Sequence, residues 1–511
     1  MLNAIHRPVA VSLACLALCA APLAVAKSPG APAAVQDRAP GAKSALQAKV
    51  DAYVAAHAPK GVAVAVTMVD VASGAVLAEV RGGQPMAPAS NLKLLTSAAA
   101  LDVLGADFNF ETLLISRPAA PGAADARPAL VVVGDGDPAF FDIRTLSAAK
   151  LTTDQLQTAW VQAAQKASPA GFREVVVDDR VFDAVHHPAT WPKDQLDDWY
   201  GVGVYGLNFH NNVFSVTPRP SKGGGVDVDV FPLGDFITVQ NTARASRDRK
   251  SEQFIVARAG NILKVAGVVP YAPEEPFRPS MADPSLNFGQ WLAGKLAAAK
   301  VSAGPVRRAG GGEPKIGAGD TVIHKIQTPI QSVLNRTNRD SYNLYAECLL
   351  KSMEVKATGH QGSFAGGCAV VRQVLAKRLG EAGLAGYEQI DGCGLSKGNR
   401  VTTRQLAGLV ASMDRDPQVS AAYRTSMARP GMEGSTFARR FQGVKLNGAV
   451  YGKSGYISGV SALSGLVVQP NGRAASFSIL CNAESSKAAF DNRTMKALQE
   501  GLVQLLDGEM K

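Results

Sequence analysis

No Cys-x-x-Cys pair and no histidine cluster occurs among the six cysteines and seven histidines, so nothing in the sequence calls for a metal. Basic residues form no stripe interleaved with aromatics, which makes nucleic acid a poor partner. No internal repeat is found. No apolar run reaches the ~20 residues of a membrane span; the best stretch, Val9 to Ala21, is cut short by Pro22. Disordered and collagen-like classes are excluded by a hydrophobic content of 46%, a charged content of 19% and a mean hydropathy of +0.03. What remains is a folded enzyme or binding protein. Its 511 residues suffice for two or three domains, at roughly 100 to 200 residues each.

The N-terminus supplies what an export signal needs: Arg7 as a basic start, the apolar run, and Ala24-Val25-Ala26 as a small-residue cleavage site. Residues 1–26 therefore read as a cleavable signal peptide and the protein as periplasmic, loosely associated with membrane or wall at most. The alternatives are a retained anchor or a lipoprotein, for which neither Cys15 nor Cys19 has the right preceding residues. Cleavage leaves Cys348, Cys368, Cys393 and Cys481 in an oxidising space, where three pairings are open. The net charge of +10 favours anionic surfaces such as cell-wall polymers.

Residues 27–42 are a Pro/Ala/Gly linker. After a helix from Ala45 comes a strand, "VAVAVTMVD", and a hairpin partner. Three more strands lie near the other end, "AVYGKSGYI" and the two halves of "SGLVVQPNGRAASFSILCN", the latter joined at Pro470-Asn471-Gly472. A closing helix puts Met495, Leu498, Leu502, Leu505 and Leu506 on one face. Two strands at the start and three at the end, without a helical crossover inside either group, predict one five-stranded antiparallel sheet flanked by helices: an α+β domain of residues 43–115 and 321–511. Residues 116–320 would be inserted, bounded by "SRPAAPGAADARPA" and the Gly/Pro-rich run before 320. The insert is read as mostly β, in one or two subdomains, with one helical stretch near Thr153 to Ala167.

Ser90 and Lys93, in "PASNLKLLTSAAALDVLG", lie three apart at the start of an apolar helix and hence on one face. Unpaired N–H groups there favour a developing oxyanion, and burial beside Leu94 and Leu95 or near a second cation would depress the lysine pKa until it can act as a base. Alone the pair reads as a helix cap with a solvated lysine. The same spacing recurs at Ser147 and Lys150. Two later words change the reading. Ser341-Tyr342-Asn343 offers a proton relay and an amide clamp, and Lys453-Ser454-Gly455 in a terminal strand offers a carboxylate site and an open edge for a peptide. Ser285-Leu286-Asn287 is a decoy of the second word.

The ordered set Ser-x-x-Lys, Ser-x-Asn, Lys-Thr/Ser-Gly resembles that of the penicillin-interacting serine acyltransferases. The long interval between Ser90 and Ser341 is similar to the family-S13 D-alanyl-D-alanine carboxypeptidases of the penicillin-binding protein 4 type. So are "GDGDPAF", "YGLNFHNN", "NLYAE" and "DGCGLSKGNRVT". The resemblance implies a penicillin-binding-protein/β-lactamase-like fold. In it Ser90 would be nucleophile, Lys93 base, Ser341 proton shuttle and Asn343 clamp. Lys453 and Ser454 would hold the terminal carboxylate, with Lys453 as the second cation that keeps Lys93 neutral, and the N–H groups of Ser90 and Tyr456 would form the oxyanion hole. Asp194 and Tyr200, in "WPKDQLDDWYGVGVYGLNF", become candidates for contact with the substrate's diamino acid; ordinary packing of the insert competes with that reading. The implied partners are peptidoglycan, muropeptides and β-lactams as covalent inhibitors, with no cofactor and no statement of oligomeric state.

The sequence departs from the pattern at three points. Ser454 stands for the usual threonine, Tyr456 for a small hydroxylic residue and Cys393 for a serine, so Cys393 is either half of a disulfide or a buried thiol. Three rivals remain. Gly394-Leu395-Ser396-Lys397-Gly398 matches a nucleophile elbow, yet no histidine follows His360, which an α/β-hydrolase would require. A β-lactamase or esterase shares the three motifs, but the large insert argues for a peptidoglycan substrate. A catalytically inactive wall-binding protein would not need every acyl-transfer residue. The expectation is a serine carboxypeptidase with endopeptidase action alongside.

Overall fold

The computed structural model describes residues 44–486 and 488–510; the signal-peptide and linker assignments, 1–26 and 27–42, lie outside the described residues. The first and last strands meet as the sequence predicts. From edge to edge the central sheet runs Ala449–Ile457, Val460–Val468, Ala474–Ala483, Val62–Asp70, Val76–Val80. Each pair is antiparallel, and the two ends of the chain are joined by Val62 opposite Ala483 through Asp70 opposite Ala475. Val62–Asp70 reads as an unbroken apolar run because both its faces are covered: every residue but Asp70 is buried. The turn into Ala474–Ala483 closes through Gly472, whose φ of 86° is glycine's own territory.

One face of this sheet carries the helices Leu92–Leu104, Asn343–Thr358 and Thr403–Arg415, packed into a single apolar core. The other face is covered by Ala45–His57 and Asn492–Glu509, with Met495, Leu498, Leu502 and Leu506 turned inward; Leu505 packs at the margin. Leu92–Leu104 sits inside the helical layer, so its residues from Leu92 to Leu101 are all buried. Its apolar sequence is that of a core element.

The intervening chain builds a second five-stranded sheet, in the order Val306–Arg308, Glu174–Asp178, Ala129–Val133, Asn109–Arg117, Thr321–Pro329. Asn109–Arg117 and Thr321–Pro329 pair with each other, Asn109 opposite Pro329. The insert's sheet therefore extends past the limits of 116 and 320 set by composition. The Pro/Ala/Gly-rich runs are loops at the far ends of these two strands, whereas the joint lies at their near ends, where Ile330 N–H donates to Phe108 O at 2.9 Å. The insert also holds more helix than its sequence suggested. Thr153–Ala167 is joined by Pro284–Ala298, which starts with Asp283 capping Leu286 N–H and proline in the first turn. Two small β units, Ser215–Pro220 with Val226–Phe231 and a sheet around Gln253–Ala259 and Ile262–Val269, complete it. All described residues belong to one compact unit.

The decoys are structural. Ser285 is buried in Pro284–Ala298, donating to Leu207 O at 2.8 Å, and Ser147 lies in the last turn of the short helix Ile143–Ala148. Cys348, Cys368, Cys393 and Cys481 are all free, so the open question of pairing resolves to none, and Cys393 is a buried thiol.

Candidate active site

Ser90 lies in a single 3-10 turn, Ala89–Asn91, immediately before Leu92–Leu104. Two glycines let the protein close around that turn. A Cβ on Gly455 would stand 2.9 Å from Ser90 N and 3.0 Å from Pro88 O. One on Gly394, at φ 87°, would stand 1.9 Å from Ala89 O. The strand with Lys453-Ser454-Gly455 and the loop Asp391–Gly394 thus grip the serine from two sides.

Lys93 is fully buried, and its Nζ is shared by three oxygens: Ser90 Oγ at 2.9 Å, Asn343 Oδ1 at 2.7 Å and Cys393 O at 2.9 Å. Asn343 Oδ1 and the Cys393 carbonyl can only accept. A neutral amine has two hydrogens and one lone pair, so these two acceptors take its hydrogens and the lone pair faces the Ser90 hydroxyl. Burial pushes the Lys93 pKa down, against the smaller opposing effects of Cys393, Glu347 and Asp391. Asn343 in turn donates to Tyr200 O at 2.8 Å.

Lys453 is equally buried and donates to Ser341 Oγ at 2.7 Å and to Ser454 O at 2.6 Å. Its pKa is pushed well down, first by burial and then by the like charge of Lys93. The expected repulsion between the two lysines is thus present but is felt at Lys453, while burial is the leading cause at Lys93. Ser341 adopts φ 64°, a left-handed conformation rare for a side-chain-bearing residue, just before Asn343–Thr358.

The cleft encloses about 620 Å³ and is lined by Ser90, Ser341, Asn343 and Tyr456 on the catalytic side and by Pro192, Gln195, Trp199 and Tyr200 from the insert. Tyr456 is 57% exposed at its rim. Ser454 is half-buried, and its carbonyl rather than its hydroxyl holds Lys453. Of the two insert candidates, Tyr200 reaches the cleft, with its hydroxyl donating to Asp198 Oδ2 at 2.7 Å. Asp194 is exposed on the turn Lys193–Gln195, next to cleft residues but not among them. Burial, then the hydrogen bond to Asp198, raises the Tyr200 pKa to about 12.

Two carboxylates that carried no role in the sequence reading hold the loop behind Lys93. Glu347 Oε2 and Oε1 accept from Gly392 N at 2.7 Å and Cys393 N at 2.8 Å. Asp391 accepts from Gly394 N at 2.8 Å, Ser396 N at 2.6 Å, Asn399 Nδ2 at 2.9 Å and Trp191 Nε1 at 2.9 Å. Ser396, the serine of the elbow-like word, is a buried member of this loop. Glu347, Asp391 and Cys393 have ligand atoms within 4.8 Å of one another, as a metal site would. Every carboxylate oxygen there already accepts an N–H, so the cluster is a backbone clamp. Both acids stood in quoted words, "NLYAE" and "DGCGLSKGNRVT", but only the folded loop shows what they bind.

A serine, two buried lysines and a Ser-x-Asn corner on this α+β fold define the class, a serine hydrolase. The family model described as D-Ala-D-Ala carboxypeptidase 3 (S13) matches residues 46–506, and the chain belongs to that family. It is 30% identical over 473 residues to a D-alanyl-D-alanine carboxypeptidase of Actinomadura sp. (strain R39), covering 90% of this chain and 85% of the relative. A D-alanyl-D-alanine carboxypeptidase of Haemophilus influenzae is 23% identical over 456 residues, covering 86% of this chain and 89% of that one. Among solved structures, penicillin binding protein 4 of Haemophilus influenzae superposes with a TM-score of 0.70 at 20% identity, over 89% of this chain and 99% of that chain.

Proposed function

We propose that this protein is an exported serine D-Ala-D-Ala carboxypeptidase of peptidoglycan stem peptides that also cleaves D-alanyl crosslinks and is acylated by penicillins. The observation that carries the reading is the placement of Lys93 Nζ, with two fixed carbonyl acceptors and the Ser90 hydroxyl as its third neighbour. Membership of the S13 family and the Actinomadura relative support the substrate class.

In this mechanism neutral Lys93 takes the Ser90 proton as Oγ attacks the penultimate D-alanine carbonyl. The N–H groups of Ser90 and Tyr456 receive the oxyanion. Collapse breaks the peptide C–N bond, with Ser341 Oγ giving its proton to the leaving amine and regaining, through Lys453 Nζ, the proton that Lys93 took from Ser90, so that Lys93 is neutral again and Lys453 keeps its charge. The acyl ester on Ser90 is then hydrolysed by water, returning the proton to Ser90. Asn343 holds the acyl-side amide, and the positive charge near Ser341 receives the terminal carboxylate. A crosslink differs only in the amine that leaves.

Incubation with fluorescent penicillin should label the wild type covalently and leave Ser90→Ala unlabelled; persistent labelling of that variant removes Ser90 as the nucleophile. Release of D-alanine from a monomeric pentapeptide and conversion of a crosslinked dimer, measured on one preparation, separate the two activities. Lys27 as the first residue of protein recovered from the periplasm would establish export and cleavage after Ala26.

A further inference from the structure

Beyond Tyr456 the catalytic cleft opens into a second, broader groove. Lys397, Tyr456 and Ser458 line both, and the groove encloses about 800 Å³. Its floor is one end of the central sheet, at Ala63, Val460 and Ala483, and one wall is the segment Gln84–Ala87. That wall is fixed: the Asn482 side-chain amide accepts from Ala87 N at 2.9 Å and donates to Ala87 O at 3.2 Å.

The groove's charge is uneven. Its lining residues include two cations, Lys397 and Arg400, and one carboxylate, Glu484. Among the described residues neither cation is in an ion pair. Arg400 is anchored by one nitrogen only, Nη1, which donates to Lys397 O at 2.6 Å and Asn399 O at 2.9 Å. Its main chain is pinned by Arg400 N to Glu388 O at 2.8 Å. The Nε and Nη2 edge of the guanidinium has no partner among the described residues. That edge is the fork that grips a carboxylate with two parallel bonds.

Direction follows from the strand. The terminal carboxylate of a substrate belongs at Lys453 and Ser341, and the strand Ala449–Ile457 leads from Lys453 past Gly455 and Tyr456 toward Ser458 and the groove. A peptide laid antiparallel on this sheet edge therefore sends its N-terminal part, upstream of the scissile bond, into the groove. We propose that the groove is a subsite for an acidic residue of the stem peptide upstream of the D-alanines, with the Arg400 guanidinium as its carboxylate anchor. This rests on the carboxypeptidase reading above.

The test uses two synthetic stem peptides ending in D-Ala-D-Ala, one with a free upstream carboxylate and one with that carboxylate amidated. For the wild type, amidation should raise KM about tenfold, the loss of one charge-assisted bond pair. Arg400→Ala should raise KM by the same factor for the acidic peptide, leave the amidated one unchanged, and leave the rate of penicillin acylation unchanged. Arg400→Lys should fall between, since it keeps the charge and loses the fork. Equal KM values for the two peptides in the wild type, or an equal loss on both in Arg400→Ala, overturns the subsite. If the wild type hydrolyses neither peptide, calorimetric binding to Ser90→Ala decides. A tenfold preference for the acidic peptide keeps the subsite while the activity reading falls, and no preference removes it. Unchanged thermal melting of the Arg400 variants excludes misfolding as the cause.

Discussion

A lysine with no water contact works as a base only if losing its proton costs little, and Lys93 meets that condition by burial. The sign follows: a depressed amine pKa makes the active, neutral form appear at lower pH than for an ordinary lysine. The acylation rate should therefore rise with pH along a limb whose midpoint lies below the usual lysine value, as stopped-flow acylation by penicillin across pH can read. Lys93→Arg keeps the positive charge but cannot release it, and should lower acylation by about 10² to 10⁴-fold, the usual worth of a general base. Glu347 acts through the loop that holds this lysine. Burial, then the neighbouring Asp391, raises its pKa to about 8, and its oxygens are the partners of two buried N–H groups. Glu347→Ala leaves both unpaired, at about 1–3 kcal/mol each, and releases the Cys393 carbonyl from its place against Lys93. Thermal melting and acylation should fall together. At this scale the residues that gather around Ser90 were legible as short words in order. Glu347 and Asp391 were not, because a carboxylate's role here is the set of N–H groups it meets, and those come from a loop more than forty residues downstream of Glu347.

The three words come together because each is on an element whose ends are fixed. Ser90 sits in the turn before a helix that is buried from Leu92 to Leu101 and carries Lys93 in its first turn, Asn343 starts a second, and Lys453 lies on an edge strand. The closeness of the strand to the serine turn depends on one missing side chain. Gly455→Ala would place a methyl 2.9 Å from Ser90 N, closer than real Cβ contacts, with backbone rather than a flexible side chain on the other side. The strand or the turn must shift by a few tenths of an ångström. Misplacement of reacting groups by 1 Å costs about 10²-fold, so the variant should acylate at least roughly tenfold more slowly while its melting temperature changes little. Penicillin labelling rate against circular dichroism melting distinguishes this from unfolding. The terminal strands were readable from turn residues and length. The helix Pro284–Ala298 was missed despite its Asp-Pro start, because Gly289 and Gly294 break up its periodicity and its partners lie in a sheet assembled from distant segments.

On the scale of the whole molecule, core and insert are tied by buried charge. Asp142 of the insert accepts from Arg336 Nε at 3.0 Å and from Tyr345 Oη at 2.8 Å, both on core helices, and from Asn211 Nδ2 at 2.8 Å within the insert. Arg336 also pairs with Asp340, next to Ser341. The words "GDGDPAF" and "YGLNFHNN" thus lie at the joint that positions Ser341 and Asn343. The same joint holds a charge pair of one sign. Asp135 accepts from Glu111 N at 2.5 Å through Oδ2, while its buried Oδ1 has no partner. Burial, then the nearby Asp137, raises its pKa to about 8; Lys315 opposes and Glu111 adds to the rise. Asp137, held by Thr328 Oγ1 at 2.6 Å, is raised by burial to about 6. A carboxyl whose folded pKa is raised binds a proton that the unfolded chain has already released, so stability falls as pH climbs from the ordinary carboxylate range to the folded value. For Asp135 that window closes near pH 8. Asp135→Asn keeps an oxygen for Glu111 N–H and has no proton to lose. Its melting temperature should match the wild type at about pH 4 and exceed it by several degrees at about pH 8, as the linkage requires. A constant difference between the two pH values would show that Asp135 does not titrate in this joint.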